Sequence, residues 1–424
     1  MLTVGVRALV AMLARRRRNS GGDGRAHDMY GRAVEHLGHE KAVVRLAGLT
    51  SLEHLGQEHP EYRQMVVDVL CAYLRSPFQP STGPEAGADD HDHPADNDTG
   101  RELQVRSSAQ QILCRHLMCP SDGRSPSTYW GEMAVDLTGA HLVDFDFTAC
   151  RPGIALFTDV RFSGDAAFNR SAFRGDAVFD GAIFTKKADF TAAGFTKGAS
   201  FIGTGFEEAA TFNGVRFHGD ADFEEATFGG ATWFNQTRFD KDAAFGRARF
   251  SGDAAFVEAH FNGSTRFTRV SFNGHAGFGG ADFRGHTAFD GTTFGKAADF
   301  GTVFSDPVGS VKGTFSATAT FGEVTFCDNA DFEEVVFEKT AWFRGAGFGG
   351  HAIFTKTVFR GDAVFLEAAF VGTAHFIDAA FGRTPDFTGA VASHPNDDHV
   401  WPPPWRAKAP SPDSDTAPLV IPSA

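Results

Sequence analysis

The chain has 424 residues, a formal net charge of −14 and an isoelectric point near 5.6, so it lacks the basic excess that draws proteins to nucleic acid. Its five cysteines (Cys71, Cys114, Cys119, Cys150, Cys327) are odd in number, scattered and without paired metal-ligand spacing. They argue against a disulfide framework and for a reduced compartment. No stretch reaches the roughly 18–20 apolar residues of a membrane-spanning helix.

Residues 1–28 read as a basic leader, in which an apolar stretch broken by Arg7 precedes Arg15, Arg16, Arg17 and Arg18. A signal peptide has the opposite order, charge before apolar run. The leader is either a disordered segment, a truncated remnant of a membrane segment, or a peripheral anchor giving weak contact with anionic lipid. The expected location is cytoplasmic, with the cytoplasmic face of the membrane as the alternative.

Residues 29–119 read as a helical module. Val34, Leu37, Val44, Leu46, Leu49, Leu52 and Leu55, then Met65, Val66, Val69, Leu70, Tyr73 and Leu74, keep spacings near three and four. Gly38 and Pro60 mark breaks between short antiparallel helices. Residues 77–100 form a flexible linker rich in Pro, Gly and Asp. It contains Asp89-Asp90-His91-Asp92-His93, potential metal ligands on a tether without preorganised geometry, so no metal site is expected. A further helix, Leu103 to Leu117, docks on the module or covers whatever follows, and residues 120–134 connect the two. Arg45, Glu53 and Tyr62 are non-repetitive side chains that define a possible interaction surface.

From Phe157 to Phe387 a phenylalanine returns at alternating spacings of five and six, as in Phe168, Phe173, Phe179, Phe184, Phe190 and Phe195. A straight strand would throw such rings to opposite sides. A helix would scatter them, and each glycine of the Phe-x-Gly-x-Ala-x-Phe segments costs a helix about 1 kcal/mol. The remaining solution turns the chain at a corner after each short segment, so that every ring points to one axis. Phe168, Phe179, Phe190, Phe201, Phe212, Phe223, Phe234, Phe245, Phe256 and Phe267 are then inward core. Small residues two positions earlier, such as Ala166, Ala177 and Val215, fill the gaps. Coils stack about 4.8 Å apart and pair their backbones, a solenoid. The spacing predicts roughly twelve coils and a rod on the order of 55 Å.

The segment Val135-Asp136-Leu137-Thr138-Gly139-Ala140-His141-Leu142, continued in steps of five through Phe147, Pro152, Phe157 and Phe162, resembles the Ala-Asp-Leu-x-x form of pentapeptide-repeat proteins. The resemblance covers about residues 135–391, with one residue added on alternate faces. It implies a mainly β fold: a right-handed quadrilateral β-helix preceded by a small α-helical module. The run Arg32 to Leu55 is similar to a helical module placed before such repeats in actinobacterial proteins, and loosely like a HEAT helix pair. The added residue predicts looser corners on alternate faces.

Two irregularities stand out. Phe304 comes one residue early, and Ser310 holds a slot where a ring is due, with Asp306-Pro307-Val308-Gly309 inside this break. Residues 392–424 read as a proline-rich disordered tail, except that Trp401-Pro402-Pro403-Pro404-Trp405 can cap the last coil or serve as a polyproline-type ligand.

No phosphate loop, dinucleotide fingerprint, zinc-binding helix motif or nucleophile elbow occurs. Acidic pairs such as Asp220/Asp222 and Glu224/Glu225 follow outward slots, and His218, His275, His286 and His351 recur at turns. No catalytic residue, cofactor or metal ligand is therefore assigned. The expected function is a non-catalytic scaffold for an unspecified protein partner, selected by the helical module. The rival from the family is mimicry of DNA toward gyrase or another nucleic-acid enzyme. That needs dense acidic faces, which Lys186, Lys187, Arg216, Arg247, Arg249, Arg266 and Arg269 interrupt.

Overall fold

The computed structural model describes residues 24–78, 94–119, 126–301, 303–305, 309–311, 313–395, 397–408 and 415–421. The Arg15–Arg18 leader, the candidate ligands at 89–93 and the break residues 306–308 lie outside the described residues.

Among the described residues four helices precede the strands: α1 (Gly24–Leu37), α2 (Ala42–Glu58), α3 (Arg63–Arg75) and α4 (Pro94–Leu117), with a 3-10 turn at Pro60–Tyr62 before α3. The last helix begins at Pro94, well before the expected Leu103; proline's fixed φ suits a first helical turn. Leu49, Leu52 and Leu55 of α2, Val66, Leu70 and Leu74 of α3, and Val105, Ala109, Leu113 and Leu117 of α4 are buried together.

The module closes the open end of the solenoid. Gln64 of α3 donates from Nε2 to the Ala134 carbonyl at 2.9 Å and accepts from the Ala134 N–H at 2.9 Å. Gln110 of α4 does the same with Val143, at 2.9 and 3.3 Å. Each side-chain amide thus stands in for a missing neighbouring strand and satisfies backbone groups that burial would otherwise leave unpaired. The end of α4 adds backbone pairs, Cys119 N–H to the Ala149 carbonyl and Arg151 N–H to the Leu117 carbonyl.

The solenoid is built from parallel ladders of two-residue strands. The first coil takes 20 residues, Val135 lying beside Ala155, and the next takes 22, Ala155 beside Ala177, then Ala177 beside Ala199. One ladder stacks 11 strands, about one coil fewer than the spacing predicts and on the order of 50 Å of rod. Four columns of rings fill the shaft, one per side. Their stacking begins with Phe157–Phe179 (4.8 Å between centroids), Phe162–Phe184 (4.4 Å), Phe168–Phe190 (4.8 Å) and Phe173–Phe195 (4.7 Å), all within 12° of parallel. Between columns the rings meet edge to face, as Phe168 and Phe179 do at 5.4 Å and 87°. Positive ring edges thereby face negative ring faces throughout the core.

The added residue sits where the corner is wide. After Phe179 the chain turns tightly: Ala182 N–H bonds the Phe179 carbonyl at 2.9 Å, and Gly181 has φ +66°. The same left-handed slot recurs every eleven residues, filled by Arg170, Ala192, Glu225 or Gln236 where no glycine stands. After Phe184 the chain takes the longer route Thr185-Lys186-Lys187 to Ala188, without the tight bond. Wide corners bring coil backbones close, so that a Cβ on Gly285 would lie 2.1 Å from the Gly263 carbonyl oxygen. Aspartates and asparagines there reach the next coil: Asp220 accepts from Asp242 N–H, and Asp242 from Ser264 N–H, at 3.2 and 2.9 Å.

The break is an antiparallel hairpin, Val303–Ser305 against Gly309–Val311, set into a tight corner. The ladder resumes in register beyond it, Phe283 beside Phe315 and Thr287 beside Ala319.

The tail departs from the expected disorder. Val400 pairs with the last coil at His375, and Thr416–Val420 runs antiparallel to Val391–Ser393. Trp401 covers Phe370, Phe376 and Phe387 at 5.2–6.0 Å, and Trp405 packs on Phe387 while its indole N–H bonds the Pro385 carbonyl at 2.8 Å. Proline-rich composition favours disorder only when little apolar surface is available to bury. Here the end of the phenylalanine column provides that surface.

Candidate interaction surfaces

The ten phenylalanines assigned inward, from Phe168 to Phe267, are all fully buried. Arg45, Glu53 and Tyr62 do not form an outward-facing surface. Arg45 pairs with Glu102 of α4 at 2.9 Å and donates to the His39 and Glu40 carbonyls. Glu53 binds Arg115 and His116 of α4 at 2.7 and 2.8 Å. Tyr62 is buried against Tyr30, its ring 6.3 Å away. All three hold helices of the module to one another. A single sequence does not reveal this, because the partners lie 57, 62 or 63, and 32 residues away.

On the rod, opposite charges stack along the axis from coil to coil: Lys186–Glu208, Arg247–Glu225, Lys356–Glu334, Arg360–Glu338 and Arg383–Asp362 lie 2.6–3.4 Å apart. Such exposed pairs contribute little stability, but at these positions they set a positive charge beside each acid. Asp240 accepts from Arg238, His218 and Asn262; partial burial opposes ionisation, yet these bonds hold its carboxyl below the ordinary value. The His260 ring, ahead of burial and Arg284, sets the direction at Asp282, whose carboxyl is also lowered.

Asp299 and Asp331 stack in adjacent coils, the arrangement most like a carboxylate dyad. Burial raises the Asp331 carboxyl, and Asp299 adds to it. Each nevertheless accepts the backbone N–H two residues on, Gly301 at 2.7 Å and Glu333 at 2.8 Å. These are turn caps. Among the described residues no group of three or more His, Cys, Asp or Glu could hold a metal ion.

Two large aromatics stand out of the flat faces. Trp233 and Trp342 are 38% and 41% exposed. Trp233 is flanked in its ladder by Thr211 and Ala255, and Trp342 by Thr320 and Val364. Both occupy outward strand slots that shorter side chains hold in the neighbouring coils, a signal visible in the sequence once inward and outward slots are separated. An open cavity of about 680 Å³ lies between the last coil and the returning tail, lined by Ile377, Phe381, Arg383, Val400, Trp401 and Pro402 among others.

A family model described as pentapeptide repeats (9 copies) matches residues 179–227, 212–260 and 256–303. The solenoid is a pentapeptide-repeat domain. The match spans coils of 22-residue register and ends where the hairpin begins; the 20-residue first coil and the 22-residue coils beyond the hairpin lie outside it. No curated protein and no solved structure matches the chain. No described helix is long and apolar enough to cross a membrane. The pentapeptide-repeat domain accordingly presents faces, corners and two capped ends, with Trp233 and Trp342 as exposed large aromatic side chains among the described residues.

Proposed function

We propose that the chain is a non-catalytic scaffold that binds a protein partner along the faces of the rod. The helical module serves as the cap of the first coil and leaves recognition to the rod. The observation that carries this reading is the pair of exposed tryptophans, Trp233 between Thr211 and Ala255 and Trp342 between Thr320 and Val364. Tryptophan is enriched among residues that dominate interface energy, and its loss from an interface centre removes about 2 kcal/mol or more. The engagement of Arg45, Glu53 and Tyr62 inside the module supports the shift of the partner site from module to rod. The hydrogen-bonded state of the acidic ladders favours a scaffold over an enzyme, and the alternating charge stacks favour it over mimicry of a polyanion.

The test is affinity capture from native cells with the full chain, its Trp233→Ser and Trp342→Ser variants, and the double variant. Recovery of a specific partner falls at least tenfold in one or more variants if the reading is right. Undiminished recovery with the double variant refutes it, as does inhibition of DNA supercoiling by the full chain at micromolar concentration.

A further inference from the structure

The tail covers the last coil unevenly. Trp401 and Trp405 lie on Phe370, Phe376 and Phe387, but among the described residues the Phe381 ring meets only those of Phe359 and Phe376. Phe381 is half-buried, whereas every ring beneath it in its column is buried. Its strand, Ala380–Phe381, ends a ten-stranded ladder and has no strand above it among the described residues. In this ladder each coil donates two N–H groups to the coil below. Val358 and Arg360 bond the Val335 and Phe337 carbonyls, then Ala380 and Gly382 bond those of Thr357 and Phe359, all at 2.7–2.9 Å. The next two acceptors are the Ala379 and Phe381 carbonyls, and no described backbone N–H donates to them. The tail passes this edge as Pro402-Pro403-Pro404, and proline has no N–H to donate. Between edge and tail lies the cavity of about 680 Å³, lined by Phe381, Ile377, Pro385, Trp401 and Pro402 among others. That volume is within the roughly 300–1,000 Å³ of ligand sites.

The ladder itself specifies what fits there. All ten of its strands, from Ala172–Phe173 to Ala380–Phe381, place a phenylalanine inward. Successive rings stack 4.7–5.0 Å apart. The slot above Phe381 matches one more ring at that spacing, on a strand whose N–H groups before and after the ring point down. An extended segment added to an open sheet edge gains affinity from main-chain hydrogen bonds and selectivity from the pocket that takes its side chain. The rim carries one acid, Asp378, and one base, Arg383, both exposed, so charge does not choose the partner.

We infer that the open side of the last coil is a docking site for an extended segment of a partner protein bearing a phenylalanine, which supplies the strand that the prolines of the tail leave out. The partner's ring stacks on Phe381, and the N–H groups of the residues before and after it bond the Ala379 and Phe381 carbonyls. A proline directly after the ring removes one of these donors and is excluded. The site is separate from Trp233 and Trp342 and stands whether or not those residues bind a partner.

The test uses the full chain and, as probe, an acetylated and amidated peptide with the sequence of residues 356–362, which contains the strand one coil below the site. Binding is read from the methyl resonance of Ile377, which lines the cavity, with the exposed Ile183 near the other end of the rod as reference. The peptide should shift the Ile377 signal saturably and leave Ile183 unmoved. Within the peptide, Phe359→Ala and Arg360→Pro should each weaken binding about tenfold or more, and Phe381→Ala in the chain should do the same. The two peptide variants leave the chain untouched, so their outcome does not depend on its stability. Absence of a saturable shift at millimolar peptide overturns the inference, as does either peptide variant binding as tightly as the parent. An Ile377 signal that moves with protein concentration alone makes a second copy of the chain the occupant, and equally overturns it.

Discussion

Replacing Phe234 by alanine isolates what the ring columns contribute. Phe234 is fully buried, stacked between Phe212 and Phe256 at 4.6 and 4.8 Å, and meets Phe223 and Phe245 edge to face at 5.4 and 5.6 Å. Deleting a buried ring costs about 3–5 kcal/mol, set by how far the surroundings collapse. Collapse is opposed here, because the backbone of each coil is pinned by ladder hydrogen bonds above and below: Phe212 N–H bonds the Trp233 carbonyl and Phe234 N–H bonds the Ala255 carbonyl. Four well-oriented aromatic contacts are lost at once, each worth about 0.5–1.5 kcal/mol beyond its area. The expected loss is therefore near the upper end, about 4–5 kcal/mol, read from urea unfolding followed by far-ultraviolet circular dichroism. Lys241→Ala, at an exposed corner, is the control and should change stability by less than about 0.5 kcal/mol. Asp240 would be a poor control, since it accepts hydrogen bonds from Arg238, His218 and Asn262. A Phe234→Ala loss below about 1 kcal/mol, or one equal to that of Lys241→Ala, would refute the claim that the columns hold the rod together.

Asp282, whose carboxyl is held below the ordinary value, contributes stability above its unfolded-state pKa that vanishes as pH falls through the folded one. Asp282→Asn should thus be less stable than the parent at neutral pH, with the gap closing under acid conditions in parallel urea melts; a constant gap contradicts the assignment. Trp401→Ala uncovers the last coil by removing contacts to Phe370, Phe376 and Phe387. It should make the chain after Phe387 the first site of limited proteolysis while leaving the helical module protected, and an unchanged cleavage pattern would show that the tail is not a cap.

How much of this was legible in the sequence depends on the range of the interaction. The phenylalanine beat is local and repeated, so the inward assignment of Phe168 through Phe267 follows from spacing alone. The added residue announces a looser corner, though not that the tight corner holds Arg170, Glu225 or Gln236 in a left-handed conformation usually given to glycine. Those positions are imposed by the stacking of neighbouring coils, which overrides local preference. The module was harder. Its helices show in their periodicity, but Arg45–Glu102 and Glu53–His116 are pairings between distant segments, and a charged residue on a helix looks solvent-facing until its partner is placed. The glutamine pairs that close the first coil were illegible for the same reason. In the tail, Trp401 and Trp405 mark the cap as one option the sequence offers, while the order of Thr416–Val420 is hidden because composition records prolines but not the strand they return to.

The register across the hairpin bears on how such a chain can change length. The coil that contains it runs 32 residues from Thr287 to Ala319, yet the strands on either side pair as if nothing had been inserted. The ladder senses only whether a short strand arrives at the right side of the shaft, and is indifferent to the path taken between arrivals. A duplicated stretch of 22 residues would add one storey to the rod, about 4.8 Å, without disturbing the floors above and below it. An insertion of other length at a corner would emerge as a projection from the wall. The fold is thereby open to lineages that differ in reach and in ornament while sharing one interior.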